Sequence, residues 1–299
     1  MTGDPGRDLD LLVVGGTGVD TVVRVEALPV PYRDSYPVPP IRDWVAHTGN
    51  TVALAAHALG MSTALIDFLG EDPQGAMVLA EYERRGLDFA WLPNPAGTSR
   101  AVNLVDPGGR RLSFFDPRHP GRDLPREFHL PYLRRARHVH VTITDHALAV
   151  FDDASSPTST DLHDWDGENP YHRRFALRAD LVFLSTASLG ERFEAVMREI
   201  MAAGRASTVV ATSGAGGCHV LDAEGPRHFP ATVPPGPVVD TNGAGDSFVA
   251  AFLWAKAQGA AVDDCARAGL VGGAHACTVE GTSEGFVDAA ALRAVLKGE

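Results

Sequence analysis

A run of nine residues, Asp240-Thr241-Asn242-Gly243-Ala244-Gly245-Asp246-Ser247-Phe248, combines a carboxylate with three consecutive residues of very little side-chain bulk. The small side chains of Gly243, Ala244 and Gly245 would let an anion approach their backbone N–H groups. The apolar residues that follow predict a helix that begins here, and a helix N-terminus adds the positive end of its dipole. Asp246 would then lie where a general base could take a proton from a nucleophile attacking that anion. The pattern predicts phosphoryl transfer.

The same stretch resembles, nearly residue for residue, the DTxGAGDxF signature of the ribokinase-like (PfkB) carbohydrate kinases. Taken without that resemblance, it would be an ordinary Gly-rich turn capped by an Asp ahead of a core helix. It is neither a Walker P-loop nor the Gly-rich loop of protein kinases, because no Lys-Ser/Thr pair follows the glycines. The resemblance covers the chain from Leu11 to about Asp288. It implies an α/β fold, a ribokinase-like three-layer α/β/α sandwich with a small β-sheet lid.

Composition and charge narrow the classes of protein to which the chain can belong. With 44% hydrophobic and 21% charged residues among 299, it has the composition of an ordinary soluble globular protein. A net charge of −12 argues against nucleic acid or an anionic membrane as a partner. Three unevenly spaced cysteines suggest neither a disulfide framework nor a zinc site. Residues 1–10 lack the apolar core of a signal peptide, so we expect a cytoplasmic protein.

The pattern of apolar residues predicts alternating strands and helices, and therefore a parallel sheet covered on both faces. Predicted strands cover residues 11–14, 63–68, 139–143, 181–184, 208–212 and 219–221. Predicted helices cover residues 50–59, 76–85, 191–203, 246–258, 262–278 and 289–296. Strands at 21–26 and around the hairpin turn Asp106-Pro107-Gly108-Gly109 have no covering helix. We expect one kinase domain over residues 1–299, with lid segments at about 21–45 and 99–116.

The stretch Gly15-Gly16-Thr17-Gly18-Val19-Asp20 follows the first predicted strand. It suggests a dinucleotide-binding turn, but the third glycine of that fingerprint falls on Thr21, and Asp20 would face a pyrophosphate unfavourably. In ribokinase-like kinases an Asp follows the first strand here and accepts hydrogen bonds from sugar hydroxyls, and Asp20 matches it. A carboxylate suits this task because it only accepts hydrogen bonds and its bonds are charge-assisted. A turn aspartate without a ligand is the alternative.

Two further stretches resemble the family on the sugar side. His47-Thr48-Gly49-Asn50-Thr51-Val52-Ala53 is similar to the GGxxxNxA or GGNxxN signature, with a threonine in place of the first glycine. The resemblance implies that Gly49 and Asn50 approach the sugar, and Asn50 is also suited to be a helix N-cap. An arginine on the lid could clamp a phosphoryl group or a hydroxyl, and of the neighbouring Arg110 and Arg111 the first fits the position better.

On the nucleotide side, Thr212-Ser213-Gly214-Ala215-Gly216-Gly217 is similar to the family's T-x-G-x-x-G segment along the ATP phosphates and ribose. A helix around Gly273 has little side-chain bulk and could pack against adenine or against another helix. Gly281 matches the glycine that ends this helix in the family. The nucleotide-binding residues that the resemblance implies are Thr212, Gly214, Gly217, Gly273 and Gly281.

One motif of the family is missing. Many members have NxxE after the strand at 181–184, where it organises water around Mg²⁺, whereas this chain reads Ser185-Thr186-Ala187-Ser188. The ketohexokinases also have Ser here and are kinases, so activity is not excluded. The implied cofactors are ATP and Mg²⁺, the latter held mainly by nucleotide phosphates and water. A monovalent cation such as K⁺ is a further candidate.

Other histidines and acidic residues are candidate metal ligands. His138 and His140 alternate along one predicted strand, and acidic residues gather with His163 between Asp161 and Glu168. Neither spacing matches a structural zinc or zincin pattern, so we predict no protein-built metal site. The segment from Asp161 to Trp165 falls where family members end a central strand with an Asp, and it is expected to line the cleft.

The function expected from these features is ATP-dependent phosphorylation of a sugar hydroxyl, with Asp246 as base and Gly243, Ala244 and Gly245 as the anion hole. A nucleoside kinase of the same fold is one alternative, and a non-catalytic sugar- or nucleotide-binding regulator is another. The expected partners are a small sugar or sugar-like substrate and ATP. A homodimer formed through the lid is expected from analogy with the family.

Overall fold

The computed structural model describes residues 6–297, so the first and last residues of the expected domain, 1–5 and 298–299, lie outside the described part. The strands are β1 (Leu11–Val14), β2 (Gly18–Arg24), β3 (Arg42–Ala46), β4 (Thr63–Leu69), β5 (Asp88–Pro93), β6 (Arg100–Val105), β7 (Arg111–Asp116), β8 (Val139–Val141), β9 (Thr158–Asp161), β10 (Leu181–Ser185), β11 (Thr208–Thr212), β12 (Cys218–Asp222) and β13 (Gly225–Phe229). The helices are α1 (Thr48–Ala58), α2 (Pro73–Arg85), α3 (Arg126–Arg135), α4 (Val150–Asp153), α5 (Pro170–Ala176), α6 (Phe193–Ala203), α7 (Ala244–Ala257), α8 (Val262–Ala276) and α9 (Ala289–Lys297).

The large sheet has the strand order β13-β12-β11-β10-β9-β8-β1-β4-β5. Pairing is parallel from β5 to β11, and only β12 and β13 run antiparallel to their neighbours. Parallel strands covered by helices are apolar on both faces, and β1 is fully buried over its four residues. The carboxyl ends of the parallel strands therefore meet along one edge, where ligands bind in open α/β sheets.

Two hydrophobic cores lie on opposite faces of this sheet and make the body three-layered. Leu11 and Val13 of β1 pack with α1, α2, α7, α8 and α9. Leu12 and Val14, which point the other way, pack with α3, α4, α5 and α6. The predicted α/β/α sandwich is confirmed.

A separate four-stranded sheet has the order β3-β2-β6-β7. Its central pair, β2 and β6, is parallel, with Val19 opposite Arg100, while the outer pairs are antiparallel. This is the small sheet that the sequence predicted near residues 21–45 and 99–116. It begins earlier than expected, at Gly18, so that Asp20 lies within a strand rather than in a turn.

The apolar pattern predicts no strand between Asp152 and Tyr171, yet β9 crosses the centre of the large sheet there. β9 ends at Asp161, where the family resemblance implied that a central strand ends with an Asp. Its sequence, Thr-Ser-Thr-Asp, is polar at every position, so it shows no apolar pattern, although all four residues are buried. Hydrogen bonds make this burial possible: the hydroxyl of Thr160 donates to the carbonyl of Val141 at 2.7 Å.

No helix among residues 6–297 has both the length and the apolar character needed to cross a membrane.

Candidate active site

The stretch from Asp240 to Phe248 contains the start of α7. Gly243 has φ +76°, a conformation that suits glycine, and α7 begins at the next residue. Before it, the backbone N–H of Asn242 donates to Asp240 Oδ1 at 2.9 Å, which fixes the approach of the chain. The first N–H groups of a helix have no partner within the helix. That of Ala244 donates to the carbonyl of Thr241 in the preceding turn, over a long distance of 3.3 Å. The structure thus gives the predicted anion hole a helix N-terminus.

Asp246 lies in the first turn of α7 and is half-buried. Burial raises the pKa of its carboxyl to about 7, because the charged form loses its water. The electrostatic effects of His163 and Arg111 lower this pKa, whereas those of Asp161 and Asp20 raise it. A base whose pKa lies near neutrality is well matched to proton transfer at the pH of the cell.

Asp161, at the end of β9, and His163 complete a cluster with Asp246, and one ligand atom from each lies within 4.8 Å of the others. Mg²⁺ takes oxygen ligands in octahedral geometry, and here one of the three groups is an imidazole and another is the candidate base. The cluster therefore does not fit Mg²⁺.

The candidate sugar-binding residue Asp20 lies on β2 of the small sheet and is buried. Its Oδ2 accepts a hydrogen bond from Asn103 Nδ2 at 2.9 Å, and its Oδ1 lies 3.2 Å from His47 Nε2. Asp20 Oδ1 and His47 Nε2 are buried, yet this pair lacks hydrogen-bond geometry and neither atom has another partner among the described residues. A buried carboxylate oxygen without a hydrogen bond is costly, so Asp20 is suited to accept a bond from a ligand hydroxyl.

The two residues of the N-terminal signature take different roles. Gly49 allows α1 to approach the chain after β1, since a Cβ atom there would lie 1.9 Å from the Gly15 carbonyl oxygen. The side chain of Asn50 is fully buried, and its Nδ2 donates to Val45 and Ser283. The contacts of Asn50 thus join α1 to the small sheet and to the segment after α8. Its predicted contact with a sugar remains a prediction.

Of the two lid arginines, the structure brings Arg111 to the cluster. Arg110 pairs instead with Asp106 within its own hairpin turn, its NH2 2.7 Å from Oδ2, and its side chain is 68% exposed. Arg111, on β7, donates to Asn242 Oδ1, directly before the anion hole. The two residues differ in their place: Arg110 lies in the hairpin turn, whereas Arg111 is the first residue of β7. No contact of Arg110 among the described residues supports its predicted role, which stays a prediction.

The predicted nucleotide-binding residues lie at three places in the fold. Thr212 ends β11, and Gly214 and Gly217 both have positive φ in the turn that follows. Gly273 lies against the start of α7, where a Cβ would be 3.1 Å from the Ala244 carbonyl oxygen, so its small size serves helix packing. Gly281, with φ +87°, lies against the ring of Trp44 on β3. Only the turn after β11 resembles an open loop that could follow a chain of phosphates.

Comparison with known proteins identifies the family. The family model "pfkB family carbohydrate kinase" matches residues 175–289, which include the turn after β11 and the start of α7. The acarbose 7(IV)-phosphotransferase of an Actinoplanes species is 46% identical over 291 residues, covering 95% of this chain and 97% of that protein. The chain belongs to the pfkB family of carbohydrate kinases.

Solved structures agree with this assignment. A microbiome-derived acarbose kinase superimposes with a TM-score of 0.90 at 45% identity, covering 97% of this chain and 99% of the other. Ribokinase from Thermotoga maritima gives a TM-score of 0.81 at 18% identity, over 97% and 99% of the two chains, and it supports the fold alone. The pfkB kinase described here is therefore an ATP-dependent sugar kinase, a phosphotransferase with an alcohol group as acceptor. The kinase assignment replaces two alternatives from the sequence, a dinucleotide-binding turn at Gly15 to Asp20 and a non-catalytic regulator.

Sequence patterns missed several polar side chains of this kinase's cleft. Asn103 and Arg111 lie on β6 and β7, and only the fold brings them to Asp20 and Asn242. His47 and His163 have φ of +75° and +53°, which is unusual for residues other than glycine. His163 lies in the segment from Asp161 to Trp165 that was predicted to line the cleft, but the sequence predicted no role for its side chain.

Proposed function

We propose that this kinase transfers the γ-phosphoryl group of ATP to a hydroxyl of acarbose or of a carbohydrate closely similar to it. The observation that carries the proposal is the high identity with two proteins named for acarbose, 46% and 45%, over nearly their whole lengths. A free monosaccharide and a nucleoside are the competing substrates, and neither has a relative of comparable identity among those compared above.

In the proposed mechanism Asp246 takes the proton from the acceptor hydroxyl as that oxygen attacks the γ-phosphorus. The bond from the γ-phosphorus to the bridging oxygen breaks, and ADP leaves. The N–H groups of Gly243, Ala244 and Gly245, with the dipole of α7, stabilise the charge on the transferring phosphoryl oxygens. The guanidinium of Arg111 adds a positive charge at the same place. The turn after β11 is proposed to bind the ATP phosphates. Mg²⁺ bound to these phosphates would supply further charge neutralisation, and K⁺ is proposed as an optional activator.

Asp20 is proposed to bind the acceptor sugar, with Gly49 and Asn50 shaping the pocket beside it. The small sheet acts as a lid that excludes water, which would otherwise hydrolyse ATP. Because ATP is its phosphoryl donor and its three cysteines are free thiols, we place the enzyme in the cytoplasm.

The test is an ATP-consumption assay with acarbose, fructose, ribose and inosine, in which mass spectrometry detects the added phosphoryl group. We expect kcat/KM to be highest for acarbose. In the Asp20→Asn variant the KM for the sugar should rise about 10- to 100-fold, because a charge-assisted hydrogen bond is lost, while the KM for ATP stays nearly constant. A higher kcat/KM for ribose or inosine would overturn the substrate assignment. Equal effects on both KM values would remove Asp20 from the sugar site.

We also propose that two lids pair in a homodimer. In β7, Ser113 faces the cleft through its bond to Asn103, so Leu112 and Phe114 must point to the other face. Their side chains are 44% and 59% exposed. Opposite them on β6 are the half-buried Leu104 and Val102, which extend the apolar face.

Sedimentation velocity tests the dimer. The wild-type chain should sediment as a dimer and Phe114→Glu as a monomer, because a charge on an apolar contact surface cannot be desolvated cheaply. Val233→Glu is the matched control, since Val233 is 84% exposed but lies outside the lid. A monomeric wild-type chain, or a Phe114→Glu chain that stays dimeric, would contradict the proposal.

A further inference from the structure

His163 has a backbone conformation that its neighbours hold in place. It follows β9 with φ +53°, in the left-handed region that non-glycine residues occupy only at a cost. Its N–H donates to Asp161 Oδ1 at 2.9 Å, and its carbonyl accepts the N–H of Ser185 at 2.6 Å. A residue held in this way directs its side chain toward a fixed place. Here that place is the cluster around Asp246.

The imidazole of His163 lies between the sugar-side helix and the carboxylates. Its Nε2 is 3.2 Å from the hydroxyl of Thr48, the first residue of α1, and its Nδ1 is 3.5 Å from Asp161 Oδ2. A carboxylate oxygen of Asp246 lies within 4.8 Å of a ring nitrogen of His163. The side chain is one-third exposed, so it borders the cleft and not the core. His163 thus connects the element next to the sugar with the candidate base.

The charges around Asp246 determine how readily its carboxyl group ionises. The ionisable groups that act on it from the packed elements are Asp20 on β2, Arg111 on β7, Asp161 on β9 and His163 after β9. Two are anionic and disfavour a charged Asp246. Among the charged neighbours, His163 has the largest effect, and in its protonated form it favours the ionised carboxylate. His163 is itself near His140 on β8 and His172 on α5, whose pKa values burial lowers, so that these rings are neutral.

We propose that His163 is a positioning residue for phosphoryl transfer, holding Asp246 in its ionised, proton-accepting form and linking that state to α1 through Thr48. The inference rests on the proposed role of Asp246 as the base. No atom of His163 is required to receive the transferred proton. Its contribution is electrostatic, and it should therefore depend on pH.

The test compares the pH dependence of kcat for acarbose phosphorylation in the wild-type enzyme and His163→Asn. Asparagine tolerates positive φ and keeps a donor near Nδ1, but it has no charge. The acidic limb of kcat, where Asp246 becomes protonated, should move to higher pH by about one unit in the variant. At the pH of the wild-type midpoint kcat should then fall several-fold, while two units above it the difference should be under about threefold.

Two other variants separate a charge effect from a structural one. His163→Gly suits φ +53° even better, and added imidazole should restore part of its acidic limb. His172→Asn removes a neighbouring imidazole that does not act on Asp246, and its profile should match the wild type. An unshifted limb in His163→Asn, or a loss of kcat that is equal at every pH, would overturn the inference.

A second readout needs no substrate and separates this inference from the proposed function. Asp246→Asn should stabilise the protein increasingly as pH rises and level off above the pKa of Asp246. In a His163→Asn background, thermal unfolding should show this plateau at higher pH, and an unmoved plateau would refute the inference even if acarbose is not a substrate. Near wild-type turnover by Asp246→Asn alone would instead refute the base assignment.

Discussion

Asp246→Asn should lower kcat about 10³-fold at pH 8 while leaving the KM for ATP within a few-fold of wild type. Asparagine has nearly the shape of aspartate, so the start of α7 and its N–H groups are preserved. The amide cannot accept a proton, and the attacking hydroxyl must then lose its proton to water. Steady-state kinetics with a coupled assay measure both constants.

The same variant should be more stable than the wild type above pH 7, which shows that its loss of activity is not a loss of fold. The pKa of Asp246 is about 7 in the folded chain and near 3.8 when unfolded, so folding favours the protonated form. Wild-type stability therefore declines as pH rises from about 4 to 7, while the neutral asparagine is unaffected. Three units correspond to about 4 kcal/mol, and water in the cleft should reduce the observed gain to a few kcal/mol at most.

Asp264→Asn is the matched control for this prediction. Asp264 also lies in the first turn of a helix, α8, but it is exposed and pairs with Arg267. Its replacement should change neither kcat nor the pH dependence of unfolding by more than experimental error. If Asp246→Asn retained more than about a tenth of wild-type kcat, another group would have to be the base.

Gly49→Ala should destabilise the fold by about 3 kcal/mol or more, because the added Cβ has no room. It would lie 1.9 Å from the carbonyl oxygen and 3.0 Å from the carbonyl carbon of Gly15, both of them backbone atoms. Gly15 cannot move aside easily, since it has φ +80° and lies against Thr142 and Thr144. Thermal unfolding should show a melting temperature lower by several degrees, with weaker sugar binding in the fraction that remains folded.

Gly60→Ala gives the comparison at the other end of α1. An alanine at Gly60 is also strained, because the residue has φ +80°, but no atom lies within 4 Å of the added Cβ. Its cost should therefore be only the backbone strain, about 1 kcal/mol. Equal melting temperatures for the two variants would show that the close approach of α1 to Gly15 does not determine stability.

The sequence predicted those parts of the fold whose burial is apolar. The strand at Thr208–Thr212 was placed to the residue, because a short β-branched apolar run has few other interpretations. The apolar pattern did not show β9, because its buried side chains are hydroxyls and a carboxylate; the hydroxyls of Ser159 and Thr160 form hydrogen bonds with His140 and Val141 on β8. Periodicity measures hydrophobicity, and it does not detect a strand that is buried through hydrogen bonds.

For the site, the sequence predicted what lies in one continuous stretch. A helix was predicted to begin near Gly243 to Asp246, and α7 begins at Ala244. The roles of these residues as anion hole and base stay predictions. Arg111 and His163 could not be predicted in the same way, because their distances to that stretch depend on how β7 and β9 are placed by the whole fold. The neighbouring Arg110 and Arg111 show the limit: the sequence does not tell which of them is in the hairpin turn and which begins β7.

The parallel pairing of β2 with β6 has a consequence for the order in which the chain folds. Val19 pairs with Arg100, and the chain between them forms β3, α1, β4, α2 and β5. Closing so long a loop for a few strand contacts is entropically unfavourable until the intervening elements have packed. We therefore expect the small sheet to form late in folding, after the large sheet and its helices have packed. We also expect the two segments that form it to have no stable structure as an isolated fragment.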